Sequence, residues 1–372
     1  MISVQSTSDS LRLGRRRNRQ PEIAVLHDFV LDHYVIFKSQ LNKSLLQMRH
    51  VAARGGGNIV VGQYLVRGGK AANLASALAR LGAKTHLIAR TSGLGRQLAE
   101  TLLRPAGVDT SCIRTDGTLA LTVSLEIPID GRLTNIMLSD PGSNADFSFS
   151  DIGRKGLMTI READGVALTD WALNRKGTGL AEGVFKYVGR EKLLLLDPGD
   201  VSRRPGDLRG LIDRVLRRGY GVLSINESEA LCLAESLIGG RMGKGRDSPE
   251  LRGLKAAREL ASELGIRVDL HTSLFSASFK DGHSYVSPTY RVEVRRVTGA
   301  GDSWNAGNMY AEWAGLSDEE RLEFANALAA YYISHPSAQH PTRAEVEGFI
   351  LSRRRRKRDL RRLGVRIQPI TC

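Results

Sequence analysis

The stretch 297–307, VTGAGDSWNAG, sets Gly299, Ala300 and Gly301 directly before one carboxylate, Asp302, at the entry to a segment that reads as a helix. Residues with little or no side chain leave their backbone N–H groups uncovered. At a helix N-terminus these orphan donors and the positive dipole end can hold an anion. A carboxylate among them can accept a proton from a hydroxyl that attacks phosphorus, while the amides stabilise charge on the transferred group. The same turn would serve as a tight helix start with Asp302 as its cap, so the motif alone leaves two readings.

A second glycine pair, Gly68-Gly69 in RGGKAANLASALARLG, precedes a helical pattern that carries Asn73 one turn inside. Backbone amides and a side-chain amide could there face one ligand. A close-packed helix start would use the same residues.

Both turns need a scaffold that brings helix starts together, and the rest of the chain describes one. EIAVLHDFVLDHYVIF begins as a buried strand after Pro21, and KTHLIART, GVALTD, KLLLLDPG, GVLSIN and RVDLHTS are further short apolar runs separated by helical patterns. Strands alternating with helices predict an α/β fold with a mostly parallel sheet and helices on both faces. In such sheets ligands settle at the carboxyl ends of the strands. Two stretches break the alternation, 34–66 and 118–140. The second alternates like an exposed hairpin around Asp130-Gly131. Both are expected to supply strands of one small β lid. The polar, glycine-rich stretch 239–253 reads as a surface loop.

A chain of 372 residues, 41% hydrophobic, can bury a large core. No apolar run reaches the roughly 18 residues of a membrane helix and the first residues lack the apolar centre of a signal peptide, so a cytoplasmic protein with no membrane partner is expected. Cys112, Cys232 and Cys372 match no metal spacing and read as inert thiols. The net charge of +14 is concentrated at the ends: residues 1–20 and 351–364 together hold thirteen basic and two acidic side chains. The body between is close to neutral. The expected organisation is a basic tail over 1–20, one catalytic domain over 21–350, and a basic tail over 351–372.

GGKAANLASALARLG and TGAGDSWNAG, more than 200 residues apart, together resemble the two signatures of the ribokinase/PfkB family of carbohydrate and nucleoside kinases. The resemblance spans about residues 21–350 and implies a ribokinase-like fold whose lid covers the acceptor. It implies an ATP-dependent, Mg²⁺-requiring phosphotransferase acting on a hydroxyl of a sugar or nucleoside, with Asp302 as base and Gly299, Ala300 and Gly301 as anion hole. Asp32 looks like the family's sugar-binding aspartate, and Gly68, Gly69, Lys70 and Asn73 are similar to its substrate contacts. Asn226 and Glu229 match an Asn-x-x-Glu element that organises nucleotide phosphate and, through water, the metal, although an ordinary helix start with Asn226 as N-cap fits the same residues. Thr272, Ser273 and Asn326 are carried over as nucleotide contacts, with His271 beside them.

The sequence departs from the family pattern at Arg296-Val297, where an Asp-Thr pair is usual, which puts monovalent-cation activation in doubt. Trp304 stands where another aromatic is common, and DLHTSLFSASFKDG replaces the usual Thr-Leu-Gly nucleotide loop. Tyr34, Phe37 and Tyr64 are aromatics that could stack on a nucleoside base. A homodimer through the lid is a further partner expectation. The reading from another class is a nucleic-acid-binding protein on a non-catalytic kinase scaffold, using RRRNR and RRRRKRDLRR; solvated tails explain the same runs.

Overall fold

A computed structural model of the chain describes residues 19–129, 132–218, 221–239, 247–337, 339–362 and 370–371. In chain order the strands are β1 (Glu22–His27), β2 (Val30–Ile36), β3 (Gly62–Gly68), β4 (Lys84–Arg90), β5 (Asp109–Arg114), β6 (Ala120–Ile129) and β7 (Arg132–Asp140). The second half contributes β8 (Gly165–Thr169), β9 (Leu193–Asp197), β10 (Val222–Ile225), β11 (Arg267–His271), β12 (Phe275–Lys280), β13 (His283–Pro288) and β14 (Ile370–Thr371). Ten of them form one sheet in the order β14-β13-β12-β11-β10-β9-β8-β1-β4-β5. From β11 to β5 every neighbouring pair is parallel, and the β12–β14 edge is antiparallel. The central strands are continuously apolar because helices cover both faces; all five residues of β8 are buried.

After β1 the chain builds outward to β4 and β5, then returns to the other side of β1 with β8 through β11. The reversal lies between β1 and β8, and a crevice forms at such a switch point beyond the carboxyl ends of the strands.

The remaining four strands make the small second sheet, ordered β3-β2-β6-β7. The expected hairpin is present: Ile129 pairs with Arg132 across β6 and β7, and its turn residues 130–131 lie outside the described residues. Stretch 34–66 differs from a purely β expectation, since it holds a helix, Leu41–Ala53, between β2 and β3. Leu41, Leu45, Met48 and Ala52 stand at helical spacing along it, yet Ser44 alone is buried, so this apolar stripe is not a core face. In the expected loop 239–253, residues 249–253 instead open the helix Pro249–Leu264, capped by the Ser248 hydroxyl, which accepts from the Leu251 N–H (3.3 Å).

The C-terminal basic stretch is not a free tail over its described part. Arg356 N–H donates to the Thr289 carbonyl (2.8 Å), Arg355 pairs with Glu323 (3.0 Å), and Leu360 is fully buried in the main core. Burying that leucine favours the docked segment, and the Arg355 and Arg356 side chains find partners on the domain, Arg355 at Glu323 and Arg356 at the Tyr290 carbonyl (3.3 Å). Residues 1–18 lie outside the described residues. Cys112 is buried, Cys232 is half-buried, and both are free thiols.

Candidate active site

The helix Ala300–Trp313 carries Asp302 in its first turn. The turn before it needs glycine: Gly299 has φ 83°. Gly301, where a positive φ was also conceivable from the sequence, is helical; its constraint is spatial, since a Cβ there would lie 3.2 Å from Cε1 of His271. The Ala300 N–H is bonded to the Val297 carbonyl (3.2 Å), and the first bond closing onto the helix runs from Ser303 N–H to Gly299 O (3.0 Å). The amides of Gly301 and Asp302 are therefore among the helix's orphan donors.

A stripe of polar residues at helical spacing, Asp302, Asn305, Asn308 and Glu312, fixes the orientation of this helix. Asn305 donates to Asp197 (2.9 Å) and accepts from the Ser224 hydroxyl (2.5 Å), and Asn308 donates to Asp269 (2.7 Å). Asp269, with no exposed surface, also accepts from Ser278 (2.6 Å), Arg267 (2.9 Å) and Arg321 (3.2 Å). Although burial opposes its charge, the two guanidinium groups hold its carboxyl below the usual range.

Asp302 is 5% exposed. Its Oδ2 accepts from the Asn73 side-chain amide (3.1 Å) and its Oδ1 lies 3.6 Å from Lys70 Nζ. Burial pushes this carboxyl up to about 7, with Asp197 and Asp28 adding to the effect against Lys70 and Asn73. Lys70 itself bridges to Asp197 (3.0 Å). Burial disfavours its charge, but Asp197, Asp302, Glu229 and Asp170 hold the ammonium well above its ordinary value. Its Nζ is thus a tie between two carboxylates, whereas the sequence placed Lys70 only among acceptor contacts.

Three carboxylates in this cluster were given no part in the site by the sequence reading, although Asp28 stands at the end of the first strand: Asp28, Asp170 and Asp197. Each closes or immediately follows a strand, β1, β8 and β9, at the sheet's carboxyl edge, and the signal was there in the Asp that ends each apolar run. Asp28 accepts from Ala71 N–H (2.9 Å) and the Thr169 hydroxyl (3.2 Å), while its other oxygen is buried without a hydrogen-bond partner. Asp170 sits at φ 59°, an uncommon backbone state for a residue with a side chain, and burial and Asp28 drive its carboxyl well above the ordinary range.

The first signature closes over these groups. Gly69 has φ 92°, and a Cβ there would meet Asp28 Oδ2 at 2.5 Å. A Cβ on Gly68 would meet the Asp32 carboxylate at 2.3 Å. Both glycines make room for aspartates. Asp32, 8% exposed, is pushed up to about 6 by burial and by Asp28, and it lines a cleft of about 850 Å³ with Asn73, Tyr34, Tyr64 and Tyr332.

Residues 206–345 match the pfkB family carbohydrate kinase. A ribokinase of Haemophilus influenzae is 27% identical over 308 residues, 79% of this chain and 91% of the relative, and a 5-dehydro-2-deoxygluconokinase of Geobacillus kaustophilus is 26% identical over 296 residues, 76% and 84%. With these similarities the chain is a carbohydrate kinase, its pfkB-family match lying within residues 206–345. Its fold is that of the Arabidopsis thaliana ribokinase solved with ribose and ATP, at a TM-score of 0.67 and 22% identity, covering 89% of this chain and 99% of the other. No helix among the described residues of the kinase is long and apolar enough to cross a membrane.

The nucleotide-side residues of the kinase are distributed differently from the expectation. Asn226 caps the helix Glu227–Ile238: its Oδ1 accepts from Ser228 and Glu229 N–H (both 2.9 Å), and Glu229 Oε2 accepts from Asn226 N–H (2.9 Å). With its one side-chain oxygen engaged twice, Asn226 does not fit as a metal ligand. Glu229 is buried, and burial with Asp197 raises its carboxyl to about 8, Asp200 contributing in the same sense. A carboxyl raised by burial and by neighbouring carboxylates is a place where a divalent cation would relieve repulsion. No three His, Cys, Asp or Glu among the described residues are disposed to enclose an ion, so one held here would keep water and phosphate ligands.

Asn326 is not available to a nucleotide. It is 2% exposed, accepts from Trp304 Nε1 (2.9 Å) and donates to the Ser287 carbonyl (3.1 Å), which spends its amide on packing. The Thr272 hydroxyl is likewise committed, donating to the Phe275 carbonyl (2.8 Å) in the β11–β12 turn. Ser273 is exposed at that turn. His271 packs against Trp304 with centroids 5.2 Å apart, and burial lowers its imidazole to about 4, so it is neutral at physiological pH. Phe37 is buried and unavailable for stacking, while Tyr34 and Tyr64 stack on each other across β2 and β3 at 4.8 Å.

Proposed function

We propose that this carbohydrate kinase transfers the γ-phosphoryl group of ATP to a hydroxyl of a sugar or sugar-like acceptor, with Asp302 as general base. The acceptor oxygen forms a bond to the γ-phosphorus as the bond from phosphorus to the β,γ-bridging oxygen breaks; ADP leaves with that electron pair, and the hydroxyl proton passes to Asp302. The observation that carries this reading is the placement of Asp302: a carboxyl raised to about 7, anchored by Asn73 and flanked by Lys70, in the first turn of a helix behind Gly299. A base poised near neutrality combines a useful ionised fraction with a real affinity for the proton.

The amides of Gly301 and Asp302, with Gly299 giving the turn, supply the anion hole; this refines the 299–301 assignment, since the Ala300 amide is held by Val297. Lys70 balances the extra charge beside the base, and Asp32 receives acceptor hydroxyls on the small-sheet side of the cleft. Glu229 would hold Mg²⁺ through the ion's waters, and the ion supplies charge neutralisation of the nucleotide phosphates. The nucleoside-kinase reading receives less support, because the cleft's aromatic pair is spent on itself. The nucleic-acid reading draws no support from Arg355 and Arg356, whose side chains are engaged at Glu323, the Tyr290 carbonyl and Asp359.

Asp302→Asn tests the proposal. It nearly preserves volume and the bond to Asn73 but cannot accept the proton, so turnover should fall by at least roughly 10²-fold with ATP affinity unchanged. Normal turnover in that variant would remove Asp302 as the base.

A further inference from the structure

The segments that follow β8 and β9 begin at the active site, with Asp170 and Asp197. Further along, the same segments and the helices they lead into, Gly177–Val188 and Leu208–Arg214, wall a cavity of about 610 Å³ to which none of the catalytic groups above contributes. That is room for a small metabolite. Its lining is cationic: Arg175, Lys176, Arg204 and Arg214 stand there against one lining carboxylate, Asp207. The surrounding sequence is basic too, since residues 201–218 hold six arginines and two aspartates within a body that is close to neutral. Two lining glycines, Gly179 and Gly206, open onto space, because a Cβ at either would meet no atom within 4 Å.

The cations are tethered but not used up. Arg175 holds Asp146, and Arg214 holds Glu182, each through Nε and Nη2. A guanidinium has three nitrogens, so Nη1 of each keeps its donors. Glu182 is also divided between Arg214 and Lys186 (2.8 Å). Lys176 is exposed and forms no ion pair among the described residues. The Thr178 hydroxyl accepts from Trp171 Nε1 (2.9 Å), which leaves its own proton to donate. Exposed ion pairs of this kind contribute little by themselves, so an anion can share their cations at small cost. The donors come from separate elements: Arg175 and Lys176 precede one helix, Thr178 lies in it, and Arg214 ends the other. A tetrahedral phosphate presents oxygens in several directions and suits that spread better than a planar carboxylate.

Arg204 connects this cavity to the reacting groups. Its Nη1 donates to the carbonyls of Trp171 (3.3 Å) and Asn174, its Nη2 to that of Arg175 (3.1 Å), and its Nε to Asp207 (2.9 Å). The guanidinium also lies 4.9 Å from the centre of the Trp171 ring. One side chain thus ties the segment after β9 to residues 171–175, which directly follow Asp170, and the Asp170 N–H donates back to the Asp197 carbonyl (2.9 Å). We propose that the cavity is an effector site for a small phosphate-bearing metabolite, and that its occupancy is relayed along the segment clamped by Arg204 to Asp170. Lys176, Arg175 and Arg214 receive the phosphate oxygens, with Thr178 adding a hydroxyl. The new bonds to residues 175 and 176 restrain the segment that Arg204 already holds.

The test titrates pyrophosphate and, separately, citrate into the full chain by calorimetry, without added metal and with saturating ADP to fill the nucleotide site. One pyrophosphate per chain should bind under these conditions, more tightly than citrate. Lys176→Met and Arg214→Met should each weaken it by roughly 10-fold or more, the range for losing a hydrogen bond to a charged group, and Arg214→Lys should recover part of the loss. Both methionine variants should keep wild-type ADP affinity, which also verifies that they fold. Backbone hydrogen exchange over 170–176 should slow when pyrophosphate is added. Loss of all pyrophosphate binding once ADP is saturating, binding that both methionine variants leave untouched, or a preference for citrate overturns the site. Binding with unchanged exchange over 170–176 overturns the relay.

Discussion

At the scale of single residues, the site is a contest between burial and one ammonium group. Asp302, Asp197, Asp170 and Glu229 all act on Lys70, so the carboxyls outnumber the positive charge that serves them. The surplus is met by protonation, and this has a kinetic signature. With Asp302 at about 7, kcat/KM should rise about tenfold per pH unit below neutrality and level off above it, because only the ionised base accepts the hydroxyl proton. A pH–rate profile checks this, and a flat profile between pH 5.5 and 7 would contradict it. The same shift predicts a stability effect of Asp302→Asn. A carboxyl whose folded value lies above its unfolded one favours folding less and less as pH rises from about 4 through 7. At pH 8 the variant lacks the cost of a buried charge, so it should melt no lower than the wild type.

At the scale of elements, the helix Ala300–Trp313 is positioned from both sides. Its polar stripe is clamped by Asp197 and Asp269, and its N-terminal turn lies against His271, whose ring is backed by Trp304. Gly301→Val therefore meets an obstacle that cannot move freely: a Cβ alone comes within 3.2 Å of the imidazole, and the γ-methyl groups extend further. Expected are reduced turnover and weaker ADP binding, since the helix start that offers its amides must shift by a few tenths of an ångström. Calorimetric ADP titration measures this, and wild-type affinity in Gly301→Val would mean that those amides do not receive phosphate. The small sheet follows another logic, with cross-strand pairs such as Tyr34 with Tyr64 setting its register over the cleft.

At the scale of the whole molecule, the described C-terminal residues belong to the core. Leu360→Ala should cost about 2–5 kcal/mol in urea unfolding, the usual range for emptying a buried leucine site, and removing residues 353–372 should cost more. A truncated chain as stable as the intact one would show that the segment is dispensable. The titrating groups also shape the global pH dependence. The buried His27 and His340 and the half-buried His271 are held below their ordinary values by desolvation, so their contributions make stability rise with pH up to about 6.5. Asp302, Glu229 and Asp170, raised above theirs, make it fall as pH climbs, and above about 6.5 the histidines no longer oppose them. Stability without ligand should thus decline from pH 6.5 to 8, by up to about 1.4 kcal/mol per pH unit for each proton retained in the folded state. Urea midpoints across that range decide the matter, and a rising trend would refute it.

The sequence by itself determined what is local. The alternation of apolar runs and helical patterns specified a parallel α/β sheet, and the two glycine-rich turns marked the helix starts, because φ > 0 at Gly69 and Gly299 is a backbone demand that glycine meets. Asp302 and Asn73 were legible for the same reason, each lying in the first turn or so of a helix that such a glycine opens, whereas Asp32, which the sequence places at the end of the first strand, lies within β2. Only the tertiary structure decided which distant groups share a site. Asp28, Asp170 and Asp197 end separate strands, and their convergence depends on the crossover order that makes β1, β8 and β9 neighbours. The tie made by Lys70, the burial that raises Asp302 and the docking of Leu360 are likewise properties of packing. Each depends on what lies across the fold, which spacing along the chain does not encode.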